Sequence, residues 1–367
     1  MAGHYNRRRK EHFMGTEALD SIKIAFFDAK PYDIESFDDA NRNFGFKIAY
    51  LKSHLTAETA SLTQGFQVVC VFVNDAVQKE AVEILARNGI RLIAIRAAGY
   101  NNLDLKALFQ KIHVVRVPAY SPYAVAEHAV SLMLALNRKV HRAYYRTRDN
   151  NFTLNGLLGF DMHGKTVGII GTGKIGRVLI EILKGFGMRA LAYDVFPDLD
   201  YQKKTGFEYV DLDTLYKNSD ILSLHCPLTK ETYHLINEAS IAKMKQGVMI
   251  INTGRGMLID SKALIGGLKT GKVGFAGLDV YEEESDYFFE DFSNKVITDD
   301  VLARLLSFNN VVVTSHQGFF TKEALQNIAS TTLEDVREFF TAGKLPNEIC
   351  YQCSTTSCPR KTTGKCF

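Results

Sequence analysis

The stretch Val167-Gly168-Ile169-Ile170-Gly171-Thr172-Gly173-Lys174-Ile175-Gly176 decides the fold of this chain. It reads as an apolar strand running into G-x-G-x-x-G and then into an amphipathic helix over residues 177–186. A second apolar strand, 189–193, ends at Asp194, 18 residues past Gly176. Each part of that order has a physical job. Gly171 permits the tight turn, Gly173 lets backbone approach a pyrophosphate, and Gly176 lets helix pack on strand. The unpaired N–H groups at the helix start face the phosphates. A carboxylate at the second strand end accepts hydrogen bonds from ribose hydroxyls, and a 2′-phosphate there would meet a like charge. Val195, Phe196 and Pro197 follow Asp194, with no Arg or Lys close behind. The stretch therefore predicts NAD rather than NADP.

Outward from this motif the chain continues as a doubly wound α/β protein. Strands are expected near 166–170, 189–193, 221–225, 248–252, 274–278 and 311–314, with helices between most of them, as a nucleotide-binding parallel sheet requires. Upstream, apolar runs at 23–27, 46–51, 68–73, 91–95 and 113–117 predict a separate parallel α/β unit over residues 21–120. Between the two, Ser121-Pro122 is an N-cap with proline at the first helical position. One long helix is expected from there to about Arg148, with Val125, Ala129, Leu132, Met133, Leu136 and Val140 on one stripe. A last helix over 321–341 has no strand after it and is expected to fold back on the first unit, making that domain discontinuous.

Composition sets limits. The 367 residues suffice for two domains, and 46% hydrophobic content supports ordinary cores. A net charge of +3 gives no reason to invoke nucleic acid. No apolar segment of about 18 residues predicts a membrane span. The run Arg7-Arg8-Arg9-Lys10 lies in a polar leader, residues 1–20, which lacks the apolar core of a secretory signal and reads as a disordered extension. Cys70 and Cys226 read as reduced, packed residues. Cys350, Cys353, Cys358 and Cys366 crowd residues 351–367 and their edge; the spacing C-x2-C-x4-C-x7-C fits no zinc pattern well and no histidine accompanies it. The tail is therefore expected to be flexible, and no metal is expected anywhere in the chain.

Ligands of open α/β sheets sit beyond the carboxyl ends of the strands, which ranks the polar residues. One strand ends in His225-Cys226-Pro227, the next in Thr253-Gly254-Arg255-Gly256. A third ends in Asp279 through Glu284, and the last in Ser315-His316-Gln317. Arg255 can grip a carboxylate through two parallel hydrogen bonds, or form a structural ion pair with Asp279. His316 and His225 can each move a proton near neutral pH. Glu284 can orient an imidazole, or simply belong to a solvated acidic turn with Glu282 and Glu283. These residues alone do not separate the alternatives. Together they form a cofactor site, a carboxylate clamp and an acid–base pair, the parts that hydride exchange between NAD(H) and a 2-keto or 2-hydroxy acid needs.

On these motifs, and on 287–291 with 296–300, the chain resembles the D-2-hydroxyacid dehydrogenase family, most closely its fermentative D-lactate dehydrogenase branch, over about residues 22–349. The resemblance implies a Rossmann nucleotide-binding domain over 121–318 and a flavodoxin-like, discontinuous substrate domain over 21–120 and 319–350. It implies that His316 is the acid–base group, Glu284 its partner and Arg255 the substrate clamp. The backbone N–H groups of Ala98 and Gly99, with Tyr100 beside them, match the turn that takes the substrate carboxylate. Gly171, Gly173, Gly176 and Asp194 keep the roles already read, and Lys174 and Ile175 would contact the pyrophosphate. Cys226, Pro227, Thr232, Thr253, Gly254 and Asp279 would line the adenosine and nicotinamide pockets. A cytoplasmic homodimer, packed through the helix after Ser121, and D-stereochemistry are implied in the same way.

The expected reaction is reduction of pyruvate by NADH to D-lactate. A larger 2-keto acid, such as 2-ketoisocaproate or phenylpyruvate, is the alternative, because one methylene shifts preference by only about 1–3 kcal/mol. A NAD-sensing corepressor on the same fold is a third reading, which the lactate-type loop and the lack of a long partner-binding tail oppose.

Overall fold

A computed structural model of the chain describes residues 19–283, 287–353 and 358–367, with Lys361 and Thr362 described in backbone only. Its contacts divide it into two compact units, Met1–Tyr120 with Thr321–Phe367, and Ser121–Phe320.

The first unit is built on five short apolar strands: β1 (Lys23–Phe26), β2 (Lys47–Tyr50), β3 (Val68–Val71), β4 (Leu92–Ile95) and β5 (His113–Arg116). They pair in parallel in the order β2-β1-β3-β4-β5, the flavodoxin-like winding. The central strands β3 and β4 are buried along their whole length, which is why they read as continuous apolar runs rather than alternating ones. The helix Lys322–Ala342 returns to this unit and packs on the helix Pro31–Asn41 and on β4 and β5. Thr321 caps its start, and Gly343 ends it in the left-handed conformation.

After that helix the chain departs from expectation. Residues 347–349 lie antiparallel along β5: Ile349 N donates to Val114 O at 2.9 Å, and Arg116 N donates to Asn347 O at 3.2 Å. The described part of the cysteine tail is not loose. Cys350 and Cys366 are buried, and a short helix, Arg360–Thr363, lies between the third and fourth cysteines. That helix belongs to a cysteine spacing that common zinc patterns do not contain.

The second unit carries seven parallel strands, one more than expected: β6 (Thr166–Ile170), β7 (Arg189–Tyr193), β8 (Glu208–Tyr209), β9 (Ile221–Leu224), β10 (Val248–Asn252), β11 (Val273–Leu278) and β12 (Val311–Val313). The order is β12-β11-β10-β9-β6-β7-β8. The extra strand, β8, has two residues, too short to register as an apolar run. Winding reverses between β6 and β9, the position where doubly wound sheets open a crevice.

The helix Pro122–Arg138 covers one sheet face with Ala126, Ala129, Met133 and Leu136, packed with Val167 and Ile169 of β6 and Ile251 of β10. The single helix expected to residue 148 is broken at Lys139, whose φ is +50°, and resumes as Val140–Arg148. The break has a partner. Asn137 exchanges two hydrogen bonds of 2.8 Å with the backbone of Phe160, and the Lys139 ammonium donates to Leu158 O. A returning segment thus ties down the helix end, a tertiary cause with no local sequence signature.

Candidate active site

The glycine turn after β6 is a steric necessity at two of its three glycines. Gly171 has φ +97°, and a methyl there would lie 2.6 Å from Cys226 N at the end of β9. A methyl on Gly176 would lie 2.1 Å from the carbonyl oxygen of Gly171, so only glycine lets the helix Lys174–Gly185 seat on the turn. Gly173 is different. Its φ is −65° and a methyl would meet nothing within 4 Å. Nothing among the described residues demands glycine there; the open space above it is what a close-lying phosphate would use. No side chain caps the helix that starts at Lys174.

Asp194, at the end of β7, accepts from Thr172 N at 2.6 Å and from Thr172 Oγ1 at 3.0 Å through one oxygen, and from Phe196 N at 2.9 Å through the other. The acid and the glycine turn are therefore positioned by each other. After β9, Cys226 is half-buried, its thiol pushed up to about 11 by desolvation, and Pro227 is exposed. Thr232 closes that loop: its hydroxyl donates to Pro227 O at 2.7 Å and accepts from Thr229 N at 2.7 Å.

The turn after β10 carries Thr253, Gly254 and Arg255. Asn252 braces it from both sides, its Oδ1 accepting from Gly254 N at 3.0 Å and its Nδ2 donating to Arg255 O at 2.9 Å. Gly256 lets this turn press against the chain after β11, since a methyl would sit 2.0 Å from Tyr281 O. The Thr253 hydroxyl is buried and has no hydrogen-bond partner among the described residues, an orphaned polar atom of the kind a ligand satisfies. The half-buried guanidinium of Arg255 reaches only Gly254 O, at 2.7 Å, and pairs with no carboxylate among the described residues. The ion pair with Asp279 that the sequence left open is absent.

Asp279 has other work. It is fully buried at the end of β11. Its Oδ1 accepts from Gln317 N at 2.9 Å and Thr314 Oγ1 at 2.5 Å, and lies 3.1 Å from His128 Nε2. Its Oδ2 accepts from Gly318 N at 2.8 Å. Its carbonyl accepts from His316 N at 2.8 Å. The loop after β12 is thus sewn onto one buried carboxylate, and His316 is held with φ +50°, a left-handed conformation that side-chain-bearing residues rarely adopt. Such strain persists only where the surroundings over-determine it, and it gathers at functional sites. Phe289, in the loop before β12, stands with its ring centroid 6.0 Å from that of His316.

The two strand-end histidines are now distinguishable. His225 bonds Ser223 Oγ at 2.8 Å, and desolvation among packed neighbours pushes its imidazole down to about 4. It stays neutral across physiological pH. Among the acids after β11, Glu282 is engaged by His234 at 2.6 Å and by Ser261 N at 3.0 Å, and Glu283 is exposed. Glu284 lies outside the described residues.

In the first unit, the turn of Ala98, Gly99 and Tyr100 follows β4. Arg116 braces it, donating to Ala98 O at 2.7 Å and lying 5.4 Å from the Tyr100 ring centre. The N–H groups of Ala98 and Gly99 have no protein acceptor among the described residues. Just upstream, Arg96 is fully buried between the rings of Phe26 and Phe72, donates to Asp28 O at 2.8 Å and pairs with Asp33 at 3.4 Å. Sequence reasoning passed over Arg96, His128 and Thr314. A charge closing the apolar run Leu92-Ile93-Ala94-Ile95 was the available signal for Arg96; His128 and Thr314 had none, since their partner lies far away in the chain.

Known proteins share this chain's sequence and fold. Residues 130–318 match the model of the D-isomer specific 2-hydroxyacid dehydrogenase NAD binding domain. The D-lactate dehydrogenase of Escherichia coli (strain K12) is 52% identical over 329 residues, covering 89% of this chain and all of that protein. The solved pyruvate reductase of Chlamydomonas reinhardtii superposes with a TM-score of 0.86 at 41% identity, over 90% of this chain and 100% of that one. The D-lactate dehydrogenase of Lactobacillus jensenii, solved with NAD+, superposes with a TM-score of 0.76 at 31% identity, over 89% of this chain and 99% of that one.

Proposed function

Because the chain belongs to the D-isomer specific 2-hydroxyacid dehydrogenase family, we propose that it interconverts pyruvate and D-lactate with NAD(H), using His316 as acid–base group and Arg255 as substrate clamp. One observation carries the reading. At the carboxyl edge of a single parallel sheet stand the glycine turn, a guanidinium that pairs with no carboxylate among the described residues, and a histidine held in a strained backbone by a buried aspartate.

The nicotinamide, when bound, supplies the hydride chemistry. Lys174 and Ile175 offer backbone N–H groups to the pyrophosphate, and Asp194 turns its carboxylate to the ribose. Cys226, Pro227, Thr232, Thr253 and Gly254 line the rest of the cofactor's path, and buried Asp279 is assigned to it through the loop it holds. In reduction, protonated His316 gives its proton to the keto oxygen as that oxygen becomes a hydroxyl; in oxidation neutral His316 takes it back. Arg255 pairs with the substrate carboxylate and polarises the keto oxygen. Glu284 is assigned as the partner of His316. In the first unit by itself, the N–H groups of Ala98 and Gly99, beside Tyr100, are donors suited to a carboxylate.

The test is kcat/KM for NADH oxidation across pyruvate, 2-ketoisocaproate and phenylpyruvate, with chiral analysis of the product. Pyruvate should rank first and yield D-lactate. L-lactate, or no turnover on any 2-keto acid, contradicts the reading; a bulky acid ranking first moves the substrate to the larger class.

We further assign a homodimer formed through the second unit. Val140, Tyr144, Tyr145, Phe152, Leu154 and Leu158 stand exposed along one short stretch of chain, more apolar surface than a monomer ordinarily leaves to water. Light scattering should give about twice 41.1 kDa, and Leu154→Glu should lower it. No helix among the described residues is long and apolar enough to cross a membrane. All six cysteines are free, which suits the reducing cytoplasm we assign.

A further inference from the structure

Four cysteine sulfurs converge at the end of the chain, far in sequence from every residue assigned to the reaction. Their separations are 3.8 Å (Cys350 to Cys353), 3.8 Å (Cys350 to Cys358), 3.8 Å (Cys353 to Cys358), 3.5 Å (Cys353 to Cys366) and 3.7 Å (Cys358 to Cys366). All four lie within 4.8 Å of one another. A disulfide needs sulfurs about 2.05 Å apart, and all four cysteines are free. Zinc–thiolate bonds are about 2.3 Å and tetrahedral in structural sites, which puts neighbouring sulfurs about 3.8 Å apart. We propose that Cys350, Cys353, Cys358 and Cys366 hold one zinc ion as a closed, four-thiolate structural site that pins the C-terminal segment to the edge of β5.

The surroundings match such a site. Cys350 N donates to Cys353 Sγ at 3.2 Å, a hydrogen bond that favours a thiolate over a thiol. Cys350 and Cys366 are buried, and a fully coordinated ion with no open position suits that closure. Separations near 3.8 Å suit a single ion at the centre, leaving no room for a multi-iron core. Tetrahedral all-sulfur coordination selects zinc or iron among common cations.

The knot is also fastened to the domain. Buried Glu348 accepts from Cys366 N with one carboxylate oxygen, and its other oxygen lies 2.5 Å from His113 Nδ1 on β5. Arg360 donates to the carbonyls of Glu348 and Pro346. The His113 ring stacks on Phe367 with centroids 4.3 Å apart, and Phe109 meets both Tyr351 and Phe367 edge-on. The segment so anchored is the one that covers β5, and its Asn347 carbonyl receives the N–H of Arg116, the residue that braces the turn after β4. Zinc here clips a cover onto a sheet edge that would otherwise expose unpaired backbone groups.

The experiment is elemental analysis of the full-length protein, purified without a metal-affinity tag and passed through a chelator. It should carry one zinc per chain, irrespective of whether it turns over any 2-keto acid. Titrating the wild-type protein with an organomercurial should release that zinc in proportion to thiols modified, and lower the thermal midpoint. Cys353→Ser and Cys366→Ser should each lose the zinc; if a variant does not fold, the mercurial release on the wild type decides alone. Refolding with cobalt should produce the intense near-ultraviolet thiolate-to-metal absorption of tetrahedral sulfur coordination. Metal-free protein with all four thiols freely titrating, two disulfides found by mass spectrometry, or iron in place of zinc would overturn the assignment.

Discussion

The buried carboxylate of Asp279 fixes the backbone on which His316 stands. The peptide N–H of His316 donates to the Asp279 carbonyl, and the next two N–H groups, of Gln317 and Gly318, donate to its carboxylate at 2.9 and 2.8 Å. Three consecutive donors meeting one residue explain how an imidazole is kept at φ +50° without a glycine.

Asp279→Asn should therefore damage catalysis through the loop. An amide presents its NH2 to one of the four donors around it, leaving a buried donor unsatisfied at about 1–3 kcal/mol. We expect kcat to fall roughly 10- to 100-fold and the thermal midpoint to drop by several degrees. Steady-state kinetics beside calorimetry check this; an unchanged kcat would show that the loop does not need the carboxylate.

Much of this arrangement was legible in the sequence, and the rest was hidden for definable reasons. The strands of both sheets show because parallel strands buried on two faces read as apolar runs, and Gly171 through Gly176 fixed the nucleotide edge. Strand β8 was missed because two residues carry no pattern. The helix break at Lys139 was missed because its cause is the bond between Asn137 and Phe160, 23 residues apart in sequence. The resemblance assigns the acid–base role to His316 over His225, which spacing alone leaves equal; in the structure His225 is desolvated and bonded to Ser223. The grouping of the four tail sulfurs is not legible in the sequence, because residue spacing reports local loops, whereas these sulfurs come together through a helix and packing on β5.

The roles of the second and third glycines of the motif can be pulled apart. Gly173→Ala meets no protein atom, so the thermal midpoint of the free protein should stay within a degree or so while NADH binds at least about tenfold more weakly, a loss on the order of 1.4 kcal/mol. Gly176→Ala drives a methyl to within 2.1 Å of Gly171 O and should destabilise the fold itself. Fluorescence titration with NADH beside thermal melts distinguishes them; equal effects of both changes would contradict the division.

Arg255→Lys keeps the charge but loses the planar fork. The expected result is a rise in KM for pyruvate and a drop in kcat/KM of roughly 10²-fold or more, about 3 kcal/mol, with NADH affinity unchanged. A variant with wild-type kcat/KM would remove Arg255 from the substrate's carboxylate.

A pH effect on stability follows from Asp335. Its buried carboxyl, bonded by Asn347 Nδ2 at 3.0 and 3.1 Å, is pushed up to about 7, chiefly by desolvation. The folded state therefore binds a proton that the unfolded chain, titrating near 4, has already released. Stability from this group is fully present below about pH 4 and is lost as pH rises to about 7, at about 1.4 kcal/mol for each pH unit at most. Asp335→Asn removes that slope, so the variant should gain on the wild type as pH rises from 4 to 7. Denaturant midpoints at each pH check it; a constant difference would contradict it.

The most direct test of His316 as the proton donor is the substitution His316→Gln, with NADH binding and pyruvate reduction measured on the same sample. NADH affinity should stay within about twofold of wild type and kcat should fall by about 10²- to 10⁴-fold, the range for removing a general acid. Turnover close to wild type, still yielding D-lactate, would contradict it and move the proton chemistry to another residue.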